Sequence, residues 1–258
     1  MMATASITAG VFCDPVAGQD YVYVAELPAI ASADPGSIRD SLRRAVAEHG
    51  PGQPLLVRAD AGTTLPGAWE PFMTFVRFRR LPADQVGPAD EPPQPAVTIG
   101  PVDVQADIEA RDAVLGWLEL ALRRGYDEEG IAADVARRWA HEIAADTDAE
   151  SIVARVDGRP VGHLTYRTAE DDVTGERYIE LVDVLVDGPD RSWRTWVERA
   201  LVRSADATAG ALGRSLVGNV VHAAGDEGAE RARTVIRGLT GSGWDVLYTV
   251  WLSQEEWA

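Results

Sequence analysis

The stretch YIELVDVLVDGPDRSWRTWVERAL, which runs from Tyr178 to Leu201, decides the fold of this chain. Its first half is a nearly continuous apolar run that ends at Gly188-Pro189, and such a run is typical of a strand in the middle of a sheet. Its second half repeats apolar residues every three or four positions, which predicts a helix with one buried face. A central strand that leads directly into a helix indicates an α/β protein.

Outward from this stretch, the hydrophobic pattern changes between a period of two and a period near four, which separates strands from helices. The Asp157-Gly158 pair marks a hairpin between two of the strands. The predicted elements are, in order, strand Ala96–Ile99, helix Ile108–Leu122, helix Glu128–Ala145, strand Ser151–Arg155, strand Pro160–Arg167, strand Arg177–Asp187, helix Trp193–Ala205, strand Ser215–His222, helix Glu227–Leu239 and strand Trp244–Leu252. This order predicts an α/β chain of the α+β kind, with one mixed sheet and helices on both of its faces.

A polar segment divides the chain into two parts. Residues Arg80–Gln94 read RLPADQVGPADEPPQ, a composition rich in Pro, Asp and Gly that has no apolar period and is typical of a linker. We therefore predict a first domain in residues 1–80, a linker in residues 81–95 and a second domain in residues 96–258.

The first part is similar to a shortened copy of the end of the second, which indicates an internal repeat. Both copies run strand, helix, strand, strand, and the first lacks the helix predicted at Glu227–Leu239. The matched stretches are Tyr21–Ile30 with Tyr178–Asp187, Pro54–Gly62 with Ser215–Gly225, and Gly67–Phe78 with Gly241–Leu252. The alternative is that any β-α-β-β stretch looks like any other.

The composition argues against several classes of function. The formal net charge is -17, and a field of that sign repels the phosphates of nucleic acids, so no nucleic-acid partner is expected. The acidity serves solubility or favours cationic substrates such as amines. No apolar run of about 18 residues occurs, so no membrane partner is expected. Four scattered histidines and one cysteine give no metal-binding pattern.

The beginning of the sequence gives an expectation about location. MMATASITAGVFCDP lacks the basic region and the sustained apolar run of a signal peptide. Cys13 is the single cysteine, so no internal disulfide can form, which fits a reducing compartment. The expected location is the cytoplasm.

The element order of about Ala96–Leu252 resembles that of the GCN5-related N-acetyltransferase family. The strand–turn–helix at Leu181–Leu201 and the Gly243-Trp244 pair before the last strand carry this resemblance most directly. The first part resembles a truncated copy of the same fold. The resemblance implies an enzyme that transfers an acyl group from acetyl-CoA, or another acyl-CoA, to the amine of a small molecule or a peptide. Separately, the exposed edges of two related half-sheets allow pairing within the chain or, equally, a homodimer.

The resemblance also implies which residues hold the cofactor. In this family the central strand presents backbone groups to the pantetheine arm, which here points to Leu185 and Val186. The following loop wraps the pyrophosphate with its amides at the positive end of a helix. The matching loop residues of this chain are Arg191, Ser192, Arg194 and Thr195.

The loop departs from the family pattern, because Ser192, Arg194 and Trp196 stand where the family has glycines that let the backbone approach the phosphates. Two interpretations remain open. The arginines and hydroxyls replace some backbone contacts by direct charge pairing, or the loop no longer binds a cofactor.

The resemblance further implies catalytic residues. The family often has a glutamate on the central strand as the base, and Glu180 stands there; the alternative is a structural carboxylate that pairs with Arg177 or Arg167. Asp183 lies three residues further on, so a regular strand would turn it to the opposite face.

Two more residues are candidates for proton transfer. His222 ends the next predicted strand and is a candidate base at neutral pH. Leu239 stands where the family has its usual acid, a tyrosine, and Tyr248 on the last strand is the candidate substitute. The rival hypothesis is a non-catalytic protein that uses the fold for binding or assembly, which the missing tyrosine and glycines favour.

Overall fold

The computed structural model describes residues 8–14, 16, 18–26, 35–63, 65, 67–79, 95–103, 106–126 and 131–257. The predicted linker lies outside the described residues except for Pro95. The elements are β1 Thr8–Asp14, β2 Gln19–Glu26, α1 Pro35–His49, β3 Leu55–Asp60, β4 Trp69–Phe78, β5 Thr98–Val102, α2 Ile108–Gly125, α3 Ala133–Ala145, β6 Ala149–Val156, β7 Arg159–Glu170, β8 Arg177–Val186, α4 Arg191–Ala211, β9 Leu216–Val221, α5 Gly225–Gly241 and β10 Trp244–Ser253.

The element order predicted for the second part is confirmed from β5 to β10. The hairpin between β6 and β7 turns at Asp157 and Gly158, which have φ values of 49° and 81°. Two such residues are what a two-residue hairpin turn requires. In the first part, β1 was not predicted, although it pairs with β2 along its whole length. None of the described helices is long and apolar enough to cross a membrane.

The strands form a ten-stranded mixed sheet in the order β1-β2-β3-β10-β4-β9-β8-β7-β6-β5. The predicted fold class, one mixed sheet with helices on both faces, is therefore confirmed. On one face, α4 packs on the central strands through Val197, Leu201 and Ala205. On the other face, α2 and α3 cover β6 and β8 through Trp117, Leu118 and other apolar side chains.

Two strands are exchanged between the two parts of the chain. β4 of the first part lies between β9 and β10 of the second and pairs antiparallel with both. β10 in turn lies between β4 and β3. Because each part supplies the strand that fills a gap in the other, the sheet runs through both parts without interruption.

The strand registers support the internal repeat. In the sequence alignment of the two copies, Val22 corresponds to Ile179 and Leu55 corresponds to Leu216. The structure pairs Val22 with Leu55, and it pairs Ile179 with Leu216, each time in a parallel ladder. Matched residues therefore occupy matched positions in the two parallel ladders.

Candidate functional site

The sheet opens between two of its central strands. β8 and β9 pair only from Ile179 to Leu181 and from Leu216 to Gly218. Beyond these residues β8 continues to Val186, while β9 continues beside β4. Among the described residues, no strand pairs with the β9 side of residues 182–186. The backbone N–H and C=O groups along this edge therefore face the opening, which we also call the cleft. No described strand takes up their hydrogen bonds there, so they are available to a ligand.

A β-bulge lies where this opening begins. On β7, Thr165 pairs with Asp183 and Tyr166 pairs with Leu181, so β8 has one extra residue, Val182. Glu180 pairs with Arg167, and residues 165 and 167 lie on the same face of β7. Glu180 and Asp183 therefore lie on the same face as well. The prediction that they face opposite sides is wrong, because it assumed a regular strand.

Glu180 has a structural partner. Arg167 Nε donates to Glu180 Oε2 over 2.7 Å, and the Glu180 side chain is 14% exposed. This is one of the two pairings that the sequence left open. The other does not occur, because Arg177 lies beside Glu170 instead, with Nε 3.9 Å from Oε2. The carboxylate predicted to act as the base is thus already engaged by a cation.

Asp183 is held by a buried histidine that the sequence analysis did not single out. His163 Nε2 lies 3.0 Å from Asp183 Oδ2, and His163 Nδ1 lies 3.1 Å from the Thr165 hydroxyl. That hydroxyl lies 2.8 Å from the hydroxyl of Ser151. His163 is fully buried, and the ring of Trp117 stacks on it at 5.3 Å between centroids. The four polar side chains form one continuous hydrogen-bond chain that ends at Asp183.

Two features kept the sequence from predicting the pairing of His163 with Asp183. The two residues are 20 positions apart, and the face that Asp183 occupies depends on the bulge at Val182. Alternation along β7 alone indicates that His163 and Thr165 share a face. That alternation is the only signal the sequence offered.

A cavity of about 190 Å³ lies beside the first residues of β8. Tyr178 of β8 and Val217 of β9 line it, and Val217 is the residue paired with Glu180. The cavity is therefore adjacent to Glu180 in the sheet. Its other lining residues are Arg58, Asp60, Arg77, Asp171, Thr174, Glu176, Ser215, Leu247 and Tyr248.

Tyr248, the predicted acid, forms part of this cavity. Its ring stacks on Phe75 at 4.5 Å, and the guanidinium of Arg58 lies 3.7 Å from its centroid. Burial raises the pKa of Tyr248, and it raises the pKa of Tyr178 to about 12. Both phenols therefore keep their protons at neutral pH and present hydrogen-bond donors to the cavity.

The wall of the cavity joins the two parts of the chain. Arg58 of β3 forms ion pairs with Asp171 and Asp172, each at 2.9 Å, in the turn between β7 and β8. The side chains of Arg58 and Asp171 are 12% and 13% exposed. This turn is fixed further by Asp171, which accepts hydrogen bonds from the amides of Val173 and Thr174.

His222 lies away from the cavity. In the parallel register that pairs Ile179 with Leu216, it is level with Leu185, at the other end of the opening from Glu180. Its Nε2 lies 2.9 Å from the hydroxyl of Thr74, and its Nδ1 is buried without a hydrogen-bond partner among the described residues. Burial, and then the charge of Arg233, lower the pKa of His222. The structure does not bring His222 together with Glu180 or Tyr248.

In the loop predicted to bind phosphate, an acidic residue, Asp190, caps the helix that follows. Asp190 is the N-cap of α4 and accepts hydrogen bonds from the amide of Trp193 at 2.9 Å and from the hydroxyl of Ser192 at 2.6 Å. The Ser192 hydroxyl and the Trp193 amide lower the pKa of Asp190. The positive end of the helix, which would attract an anion, therefore already carries a carboxylate.

The remaining predicted cofactor residues are distributed around this cap. Arg194 donates to the carbonyl of Gly188 over 3.2 Å, whereas Arg191 is exposed. Thr195 is half-buried. Leu185 and Val186 have buried side chains, so they reach the opening through their backbone only.

These features decide how far an acyl-CoA fits. The unpaired edge of β8 fits the amide groups of a pantetheine arm. The N-terminus of α4 fits a pyrophosphate poorly, because Asp190 takes up the Trp193 amide and places a carboxylate there. A Cβ added to Gly188 would meet the ring of Trp193, so the loop lies against its own side chains. Arg191 is the exposed cation nearest to this end of the cleft along the chain.

Comparisons with known proteins concern the fold. No known family profile matches the sequence, and no curated protein matches it. The chain is similar to a solved ribosomal-protein-alanine N-acetyltransferase from Brucella melitensis biovar Abortus 2308, at 24% identity and a TM-score of 0.37, over 56% of this chain and 89% of that one. It is similar to an aminoglycoside acetyltransferase from an uncultured soil metagenomic sample, at 15% identity and a TM-score of 0.33, over 47% and 76% of the two chains.

A third likeness spans both parts of the chain. A conserved protein of unknown function from Staphylococcus epidermidis ATCC 12228 is 12% identical, with a TM-score of 0.48 and coverage of 92% of this chain and 86% of that one. The fold itself is given by the element order and the sheet topology of this chain.

Proposed function

We propose that this chain is an acyltransferase that moves an acyl group, in the first instance acetyl, from an acyl-CoA to the amine of a small molecule or a peptide. The observation that carries the proposal is the opening between β8 and β9. It has an unpaired backbone edge on one side, two carboxylates on one face at its start and a cavity adjacent to them.

The acyl donor would supply a thioester, whose acyl carbon forms the new bond to nitrogen as its bond to sulfur breaks. The chain itself would contribute the backbone edge of residues 182–186 to hold and orient the arm of the donor. Arg191 would attract its phosphates as an exposed charge and not as part of a backbone cradle. Water would be kept out by α2, which covers the face of β8 through Trp117 and Leu118.

The cavity would receive the acceptor. Three carboxylates, those of Asp60, Asp171 and Glu176, line it together with the guanidinium groups of Arg58 and Arg77. Arg58 pairs with Asp171, which leaves Asp60 and Glu176 against Arg77, so the remaining balance attracts a cation. The phenol ring of Tyr178 offers apolar surface. A small ammonium group with an apolar body matches this lining, and the net charge of -17 favours its approach.

The test is a thermal-shift series with acetyl-CoA, free coenzyme A, S-acetylpantetheine, which lacks the phosphates, and ATP. A ligand at about 100 times its dissociation constant stabilises a protein by about 2.7 kcal/mol. We expect stabilisation by acetyl-CoA and by S-acetylpantetheine, and none by ATP, since the pantetheine arm makes the contacts. Stabilisation by ATP as well would show nonspecific binding of phosphate and contradict the proposal.

A second function is favoured by one observation. The carboxylate of Asp190 at the N-terminus of α4 suits a protein that has given up the cofactor and keeps the fold for binding or assembly. In that case neither acetyl-CoA nor S-acetylpantetheine stabilises the chain at millimolar concentration, while the cavity still binds a small amine. A homodimer and a cytoplasmic location stay predictions of the sequence.

A further inference from the structure

We propose that Asp183, oriented by His163, accepts the proton that the acceptor amine loses, in the place that the sequence assigned to Glu180. This inference rests on the acyl transfer proposed above. Both carboxylates lie on one face of β8 at the start of the opening. The difference between them is the group that each one contacts.

Glu180 accepts a hydrogen bond from a guanidinium, whereas Asp183 accepts one from an imidazole. Hydrogen bonds from a charged donor are roughly twice as strong as those between neutral groups. They stabilise the ionised carboxylate more and so oppose its protonation. Of the two side chains, Glu180 is the one already paired with a cation, whereas the partner of Asp183 is an imidazole that can be neutral.

The hydrogen-bond chain behind Asp183 is complete when the His163 ring carries one hydrogen, on Nε2. If Ser151 donates to Thr165, and Thr165 donates to His163 Nδ1, then the ring hydrogen is on Nε2 and is donated to Asp183 Oδ2. The hydroxyls of Ser151 and Thr165 and both ring nitrogens of His163 then each have a hydrogen-bond partner, as burial requires. His163 thereby holds Oδ2 of Asp183. The second carboxylate oxygen stays available beside the opening, since the Asp183 side chain is 17% exposed.

The proton balance is simple. An acceptor that arrives as an ammonium ion gives one proton to the second oxygen of Asp183 and becomes a nucleophilic amine. Its nitrogen then bonds to the acyl carbon, the carbon–sulfur bond breaks, and the departing thiolate takes up the second nitrogen proton. Asp183 returns its proton to solvent. His163 moves no proton in this scheme and is a positioning residue.

The described groups that contact the His163 ring are Asp183 on β8, the Thr165 hydroxyl on β7 and Trp117 on α2. Behind Thr165 lies the Ser151 hydroxyl on β6. Trp117 is neutral, and its indole N–H donates to Asp187 over 3.0 Å.

The experiment compares acetyl transfer from acetyl-CoA to 2-phenylethylamine, used as the probe amine, by wild type, Asp183→Asn, Glu180→Gln, His163→Gln and His141→Gln. We expect Asp183→Asn to lower the rate by about 10²-fold or more, the usual weight of a general base, and Glu180→Gln to lower it less. His163→Gln keeps a neutral hydrogen-bond donor beside Asp183, so we expect its rate to fall less than that of Asp183→Asn. His141, exposed on α3, provides the matched control and should behave like wild type.

A second readout does not depend on acyl transfer. The nitrogen chemical shifts of the four histidine rings, assigned with the His163→Gln and His141→Gln variants, report which ring nitrogen carries hydrogen. We expect the hydrogen of the His163 ring to be on Nε2, where it is donated to Asp183.

Two results would overturn the inference: a larger loss of rate in Glu180→Gln than in Asp183→Asn, or a hydrogen of the His163 ring on Nδ1. Failure of the proposed function looks different. The wild type would then acetylate no probe amine and gain no stability from acetyl-CoA, and Asp183 would have no reaction to serve, whatever the ring shifts show.

Discussion

Asp190 is the single residue that most affects what the α4 end of the cleft can bind. A helix N-terminus carries partial positive charge and favours an anion there. In this chain the anion is the carboxylate of Asp190, which caps the helix through the Trp193 amide and the Ser192 hydroxyl. Any phosphate group brought to this end must approach a like charge, with Arg191 as the exposed cation beside it.

Replacing Asp190 by Asn should therefore strengthen the binding of acetyl-CoA. Asparagine caps a helix about as well as aspartate, so the helix is kept while the charge is removed. We expect the dissociation constant of acetyl-CoA to fall roughly two- to fivefold, the size of one charge effect at a helix end. Arg191→Ala should raise it by a similar factor, as measured by isothermal titration calorimetry.

The binding of S-acetylpantetheine, which lacks the phosphates, should not change in either variant. Asp134→Asn, in the exposed first turn of α3, is the matched control for the loss of one charge. If both Asp190→Asn and Arg191→Ala bind acetyl-CoA as the wild type does, then the phosphates do not lie at α4.

At the scale of elements, β8 depends on how closely β7 approaches it. Gly162 of β7 pairs with Val186. A Cβ at this position would lie 2.8 Å from Val186 Cγ2 and 2.9 Å from the carbonyl oxygen of Leu185. Only glycine leaves room for this approach, which holds the last residues of β8 along the edge of the opening.

Gly162→Ala should therefore destabilise the chain by about 1–3 kcal/mol, the usual cost of overpacking. The midpoint of urea unfolding measures this loss. Gly100→Ala on β5 is the matched control, because a Cβ there meets nothing within 4 Å, and its midpoint should stay near that of the wild type. Equal midpoints for the two variants would mean that β7 and β8 separate easily, and that the edge of β8 is not held by this contact.

At the scale of the whole molecule, the two parts of the chain complete one another. β4 pairs with β9 on one edge and with β10 on the other. Without the first part, nothing would fill the gap between β9 and β10, and each would expose an unpaired edge to solvent. The cavity would also lose Arg58, Asp60 and Arg77.

A fragment of residues 95–258 should therefore not unfold cooperatively on heating when followed by circular dichroism. Co-expression with residues 1–94 should restore one cooperative transition, because the missing strand is then supplied from a second chain. A fragment that melts cooperatively alone would show that β9 and β10 can pair directly, and that the first part is dispensable for the sheet.

The sequence by itself determined the order of elements in the second part, the α/β class and the repeat. The repeat alignment even matched Val22 with Ile179 and Leu55 with Leu216, which the strand registers bear out. These features follow from local patterns. Periodicity and turn residues fix whether a segment is a strand or a helix, because they act between residues a few positions apart.

Only the tertiary structure decided which strands are neighbours and which side chains meet. The exchange of β4 and β10 joins residues far apart in sequence, and no local pattern specifies it. The same holds for Asp183, whose face depends on the extra residue Val182, and for His163 behind it. A bulge shifts every later side chain of a strand to the other face, so the candidate base of this protein was settled by the register between β7 and β8 and not by the residue types.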